Sequence, residues 1–588
     1  MSGCYLVLPV VTEDQIVEGG LAEPEELEPD QGSLDLAAPE DRRDRAQGKA
    51  EWEAAAAAVL RKARRLGPDD PDDLVWDKLT RRTLDGIGIT PLGTPELLDG
   101  LTTVGRPTRA GEWDIRAHFA EDLEKTLNEE ALVDLEGGVT SLWVQVGPRT
   151  DFGALFDQVL LELAPVVLDP RAEDSATAHA FLSWAGEREL HPATNLGLRA
   201  DEVTRATANL AREAGTLGFL VDASRVHDKG ASDAQELASS MATAVSYLRR
   251  AGEAGLSVAD AAALVEFRYA VTDEQFTSIA KLRAARRMWA RVQELCDSEP
   301  APMRLHAVTS RPMMTRYDPW VNMLRTTVAA FAAGVGGADA VTVLPFDSAI
   351  GRPDAFGRRI ARNTSALLIS EAHIATVADP AGGAYATEKL TDDLAVAAWE
   401  LFGRIDDGLD LLADITAAAE RRDREVAMRR RPITGVSEFP NLAETLPERS
   451  AYLQFDDVRG YAEGFEALRD DPPAGHAFLA TMGTIAAHTA RATFATNLLA
   501  AGGIAVDVAG ATETAADLVA AYDGQPVVCL AGSDGAYDAW ADEAARALRE
   551  AGAQWVVIAG KPRESVDDSA AMGVDALEFL ARTREHLT

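Results

Sequence analysis

From Leu132 to about Asp410, short β-rich runs alternate with longer stretches of helical composition. The runs are Val139–Val146, Pro165–Leu168, Ala193–Leu198, Leu217–Asp222, Leu264–Val271, Met303–Thr309, Asp339–Phe346 and Ile374–Ala378. Helical segments such as Asp233–Arg250 and Phe276–Leu295 lie between them. Strand-then-helix repetition of this kind signals βα units around a parallel sheet. Eight such runs predict a (β/α)₈ TIM barrel over residues 131–410. Within the first run, alternation places Leu142, Val144 and Val146 outward and Ser141, Trp143 and Gln145 toward the axis, and it turns Leu220 inward on the fourth.

The pattern changes after the helical run Glu388–Arg430, at the loop Pro432–Pro440 and the link Asp470–Pro473, which together mark a helical linker over 411–473. Residues 474–588 then repeat strand and helix: Phe478–Met482, His488–Ala501, Ile504–Val508, Glu513–Tyr522, Val527–Ala531, Tyr537–Ala551, Trp555–Ala559 and a last pair ending near Leu587. That order predicts a five-stranded, flavodoxin-like doubly wound domain. Ahead of the barrel, 1–50 reads as an acidic flexible tail and 51–130 as an extension, helical over Glu51–Leu66 and linker-like around Gly86, Gly88, Pro91 and Pro95. The fold class is α/β, a barrel followed by a doubly wound domain.

Composition narrows the chemistry. The 588 residues are 47% hydrophobic, with a formal charge of −38 that would repel a phosphate backbone, so nucleic acid is excluded as a partner. No apolar run is long enough to cross a bilayer, and Tyr5–Val11 lacks the basic start and small-residue end of a secretory signal. Three scattered cysteines, Cys4, Cys296 and Cys529, supply neither a disulfide framework nor a metal cluster, and a cytoplasmic location fits them. The nine histidines form no metal constellation. Gly-Lys-Ser/Thr phosphate loops, GxGxxG, GxSxG and HExxH are all missing, and Gly334-Val335-Gly336-Gly337 reads as a helix end rather than a phosphate cradle.

Longer runs carry a resemblance. Met313–Asn322 (MMTRYDPWVN), Phe356–Thr364 (FGRRIARNT), Asp379–Tyr385 (DPAGGAY) and Ala280–Trp289 (AKLRAARRMW) closely resemble the barrel of methylmalonyl-CoA mutase. With the terminal domain, the likeness extends from about Asp77 to the C-terminus. It implies a barrel threaded by an acyl-CoA and capped by a cobalamin-binding domain, which together exchange (R)-methylmalonyl-CoA and succinyl-CoA by radical chemistry.

Several of the family's working residues are replaced. Its Asp-x-His-x-x-Gly loop, whose His ligates cobalt, corresponds to Ala486-Ala487-His488-Thr489-Ala490-Arg491. His488 thus marks a vestigial cofactor-binding position, with a helix-capping or surface role as its alternative. Arg491 stands where a corrin edge would pass, and the family's Ser-x-Leu turn and Gly-Gly pair correspond to Ala531-Gly532-Ser533 and Ala559-Gly560. The Tyr-His pair after the fourth strand is replaced by Ser224-Arg225-Val226-His227, with His227 displaced. The tyrosine-bearing segment before Trp113-Asp114-Ile115-Arg116 has no tyrosine over Leu101–Glu112, and the Gln/His-rich seventh strand reads Gly337–Leu344. No catalytic or metal residue is assigned. Three functions remain: a non-catalytic chain similar to the small (β) subunit of the heterodimeric mutase, with adenosylcobalamin and acyl-CoA held by a large partner; a self-sufficient cobalamin mutase using His488 and His227; or a scaffold or chaperone for a cobalamin enzyme.

Overall fold

The computed structural model describes residues 42–101, 106–109, 111–170, 172–199 and 202–587. The tail expected over 1–50 lies outside the described residues as far as 41, and Leu101–Glu112 is described only in part. The chain divides into two units, one ending at Thr80 and one starting at Arg81.

In the first unit a helix, Arg42–Lys62, turns back through Asp72–Leu74 into a short helix, Val75–Leu79. Ala57, Leu60, Leu66 and Val75 form its small core, and Trp52 and Trp76 meet with ring centroids 4.7 Å apart. The Trp76 indole N–H donates to Glu53 at 2.6 Å, so the partly buried ring keeps its polar edge satisfied.

The second unit opens with a short hairpin pairing Arg81–Arg82 with Gly88–Ile89. Its eight barrel strands, all parallel, are β1 (Asp114–Phe119), β2 (Ser141–Val146), β3 (Val166–Pro170), β4 (Asn195–Arg199), β5 (Leu217–Asp222), β6 (Val265–Val271), β7 (Arg304–Thr309) and β8 (Ala340–Thr342). Each pairs with the next, and β8 closes the barrel on β1 through Ala340↔Asp114. The eight strands are therefore present, with one exchange of membership. Ile374–Ala378 is not a strand: Ile374–Thr376 forms a 3₁₀ turn whose Ile374 packs in the helical layer against Ile279, Ala332 and Val335. The barrel begins instead at Asp114, within the stretch read as extension. Asp114, Arg116 and His118 make the inner face of β1 wholly polar, which hid it from a search for apolar runs.

The outward positions of the strands carry the main core. Leu142, Val144, Leu168, Phe219, Val221 and Phe267 are buried against the helical ring, where Phe219 meets Tyr247 at 5.1 Å and Phe267 meets Trp289 at 5.0 Å. Each such side chain contributes about 1.5–3 kcal/mol through burial. Gly336 closes the helix Pro319–Val335, and Gly337 follows with a φ of +82° where a Cβ would strike Pro107. The glycine run is a helix end.

The C-terminal sheet contains β9 (Ala477–Met482), β10 (Val506–Val508), β11 (Val527–Gly532), β12 (Trp555–Ile558) and β13 (Asp568–Ser569). They run parallel in the order β10-β9-β11-β12-β13, a doubly wound arrangement with its switch point at β9. Alternation along β9 separates the faces: Ala477 and Leu479 pack with Leu498, Phe579 and Leu580, whereas Phe478, Ala480 and Met482 pack with Leu518, Ala544 and Leu548.

Candidate functional site

Two places in this fold are where α/β proteins carry out chemistry: the barrel axis toward the carboxyl ends of its strands, and the crevice at the switch point of the small sheet. Both are lined by inward side chains set by the period of two along a strand.

The lower layer of the barrel axis is an ionic network. Arg116 of β1 reaches Glu266 of β6 at 2.8 Å and donates from Nε to the Ser141 hydroxyl at 2.8 Å. Arg304 of β7 meets Glu266 at 3.2 Å and Asp114 at 3.0 Å. Burial alone would raise the Glu266 carboxyl, but Arg116 and Arg304 outweigh it and hold the group below its usual range. Removing water from these charges is costly, and the network is tolerable because each charge has partners.

Above it lies Trp143, 2% exposed, as the inward reading of β2 requires. Its ring is 4.0 Å from His118 and 5.5 Å from His306, and the Arg268 guanidinium stacks over it at 3.9 Å. Arg268 also donates to Asp222 at 3.0 Å and to His306 Nδ1 at 3.1 Å. Because arginine only donates, Nδ1 is the accepting nitrogen, and Nε2 donates to the Thr342 hydroxyl at 2.8 Å. Burial, reinforced by Arg116, Arg268 and Arg304, pushes the His306 pKa well below its usual value, which fits this neutral tautomer. Trp143 clusters with Val167, Val308 and Leu344. Leu220 shares the register of Glu266 and so faces inward as expected. From the linker, Tyr452 approaches His118 at 3.5 Å, its phenol pushed up to about 12 by burial.

This axis is packed with an indole and paired charges. A chain threaded along it would have to displace Trp143. Alternation identified Trp143 and Leu220. Arg268, His306 and Tyr452 were not singled out, although parity on β6 and β7 places the first two inward.

His227 is buried. Its Nε2 lies 2.7 Å from the Ser310 hydroxyl, and Nδ1 is 3.4 Å from the Glu236 carboxylate. Glu236 in turn accepts from buried Lys281 at 2.7 Å, and Lys281 reaches Asp233 at 2.8 Å. The two carboxylates outweigh desolvation and hold the ammonium above its usual range. These partners are on helices Asp233–Glu253 and Gln275–Leu295, away from the Trp143 cluster.

In the small domain, the stretch matching the cobalt-ligand loop is helix. Ile485–Ala501 starts three residues before His488, which is 6% exposed with Nδ1 3.2 Å from the Gly483 carbonyl. A carbonyl only accepts, so Nδ1 carries the proton and the imidazole is committed to its own turn. Arg491, one turn on, donates to the Gly532 carbonyl at 2.9 Å, pairs with Asp534 and lies 4.8 Å over the Tyr537 ring. The Tyr537 hydroxyl accepts from Gly532 N at 3.0 Å and lies 2.8 Å from the Ala559 carbonyl. Burial pushes this phenol up to about 12. A Cβ at Gly560 would sit 3.1 Å from the same ring. The space between Ala559-Gly560 and Ala531-Gly532-Ser533 is taken by these two side chains, and the residues present do not fit a corrin edge. Among the described residues, no group of three or more His, Cys, Asp or Glu is arranged to hold a metal ion.

The family described as methylmalonyl-CoA mutase matches residues 216–502. A protein of Streptomyces virginiae named methylmalonyl-CoA mutase small subunit is 42% identical, over 91% of this chain and 96% of its own. The Mycobacterium bovis protein named probable methylmalonyl-CoA mutase small subunit is 38% identical over 90% and 95%, and the small subunit of Propionibacterium freudenreichii subsp. shermanii is 33% identical over 91% and 94%. The chain belongs to the methylmalonyl-CoA mutase family, among its small subunits.

Proposed function

We propose that this chain is the non-catalytic subunit of a cytoplasmic heterodimer. In this reading a large subunit binds adenosylcobalamin and acyl-CoA and isomerises (R)-methylmalonyl-CoA and succinyl-CoA, while this chain supports it. Trp143 carries the reading. With Arg268 at 3.9 Å on its face and His118 at 4.0 Å, the indole occupies the axis that an acyl-CoA would thread. The filling of the second crevice by Arg491 and Tyr537 supports the same reading from an unrelated part of the fold. A self-sufficient mutase would need His488 and His227 free to act, and both rings are engaged in buried local contacts.

The test is to assay the purified chain alone with adenosylcobalamin and methylmalonyl-CoA, then together with the large subunit. Turnover is expected only for the pair, and the visible spectrum of the isolated chain should show no histidine-ligated corrin. Turnover by the isolated chain approaching that of the pair would overturn the reading.

A further inference from the structure

Away from the barrel axis, a cavity of about 630 Å³ opens beside the Arg81–Arg82 hairpin strand, the helix Pro319–Val335 and the helix Leu411–Ala427. This is within the range of small-molecule sites. Its lining inverts the charge of the protein as a whole. The chain has 95 acidic and 57 basic residues, yet six guanidiniums line this cavity: Arg81, Arg82, Arg325, Arg422, Arg430 and Arg431.

The cavity's acids are largely committed elsewhere. Asp85 accepts from the Ser232 hydroxyl and the Ala234 N–H, Asp233 is paired with Lys281, and Glu274 spans Arg81 at 3.3 Å and Arg431 at 3.6 Å. Asp273 is pushed toward its neutral form by burial. Four arginines, in contrast, have no carboxylate within ion-pair distance among the described residues: Arg82, Arg325, Arg422 and Arg430. Those with hydrogen bonds use neutral acceptors. Arg422, 7% exposed, donates to the carbonyls of Gly230 and Ala231 at 3.0 and 3.2 Å. Arg325, also 7% exposed, donates to the Thr434 carbonyl at 2.7 Å, and Arg82 to the Gly86 carbonyl at 3.0 Å.

The lining also has an aliphatic part, formed by Met313, Val321, Leu324, Val328, Val426 and Ile433. Guanidiniums without an ion-paired carboxylate, set among aliphatic side chains, suit an amphiphilic anion. Four unmatched cations call for a head with more than one negative charge, and guanidinium forks bind phosphate oxygens in pairs.

We propose that this cavity is a binding site for an organic phosphate ester, with the phosphate held by Arg325, Arg422 and the rim arginines Arg82 and Arg430, and the apolar body laid against Val321, Leu324 and Val328. The site is independent of the barrel axis and of any cobalamin chemistry.

The probes are 1-naphthyl phosphate and 1-naphthoate, which share a body and differ in the head, titrated calorimetrically into the full chain. One site is expected, with the phosphate bound at least ten-fold more tightly than the carboxylate and its affinity falling as salt is raised. Arg422→Gln should weaken the phosphate ten-fold or more. Because Arg422 also ties down two carbonyls, the double variant Arg82→Gln/Arg430→Gln, whose side chains anchor little of the fold, is the companion test, with a loss of about five-fold or more. Equal affinity for the two probes, no binding at millimolar concentration, or unchanged affinity in the double variant would each overturn the proposal.

Discussion

In the barrel, the axis is taken by Trp143 at 2% exposure, wedged between two histidines and a stacked guanidinium, above a network in which Arg116 and Glu266 are both fully enclosed. In the small domain, the crevice is covered by Arg491, whose side chain is 31% exposed and whose partner Asp534 is 85% exposed. Both places are filled, but one filling belongs to the core and the other lies on its edge. In a close-packed interior the residue that blocks a ligand also holds the structure together, whereas a solvated ion pair contributes little to stability. The barrel has exchanged a passage for packing. The crevice has acquired a cover over a ring, Tyr537, that does the structural work beneath it.

That contrast makes Trp143→Ala the most damaging single change. Deleting a buried indole should cost about 3–5 kcal/mol through lost transfer energy and the cavity left behind. It should create no mutase, since no acid, base or radical-shielding group would be supplied. Denaturant unfolding reads the effect, and a loss below about 1 kcal/mol would show that the ring does not plug the axis.

Glu266→Gln follows closely. The amide leaves Arg116 and Arg304 without their shared carboxylate in a dry layer, a change expected to cost about 3 kcal/mol, the lower end for breaking a buried pair. If Glu266→Gln were neutral, the axis would hold more water than its packing indicates.

The same residues show where sequence reasoning worked and where it stopped. Strands whose outward face is apolar stood out as runs, and the order of elements after Asp470 gave the small sheet almost completely. β1 was missed as a strand because its inward face is Asp114, Arg116 and His118, and its outward Ile115, Ala117 and Phe119 read as a motif without a run. Ile374–Ala378 was apolar enough to mimic a strand because it is buried in the helical layer instead. At the sites, alternation placed Trp143, and the replacement of glycine by Arg491 was plain. Which groups meet across the barrel, Arg268 with His306 or Tyr452 with His118, depends on contacts 38 and 334 residues apart that no local pattern encodes.

Beneath the cover, Tyr537→Phe should cost about 1–2 kcal/mol, because the Gly532 N–H and the Ala559 carbonyl lose a buried partner. A cost as large as that of Trp143→Ala would remove the distinction between the two fillings.

The histidine in the barrel adds a dependence on pH. The His306 pKa is depressed in the folded state, so the unfolded chain binds a proton more readily than the folded one. Stability attributable to this group is complete above its ordinary value of 6.5 and is lost as pH falls from there toward the lowered folded value. Unfolding midpoints of the wild type and His306→Gln, compared between pH 8 and 5, should converge on the acid side. Parallel curves would show that burial in the axis does not lower the His306 pKa.

The smallest expected effect is that of His488→Ala on the activity of the reconstituted pair, which should stay within error of the wild type. A cobalt ligand needs its metal-facing nitrogen exposed. Here the ring is 6% exposed, Ala486 provides no carboxylate to orient it, its Nδ1 proton goes to the Gly483 carbonyl just ahead of the helix, and Arg491 covers the neighbouring crevice. Removing the imidazole should cost about 1 kcal/mol of stability through that one hydrogen bond. The outcome therefore separates a structural histidine from a functional one by which quantity moves. A lowered unfolding midpoint with unchanged turnover fits the capping role, whereas a ten-fold loss of turnover, about 1.4 kcal/mol, in a pair that still assembles and shows an altered corrin spectrum would place His488 at the cofactor.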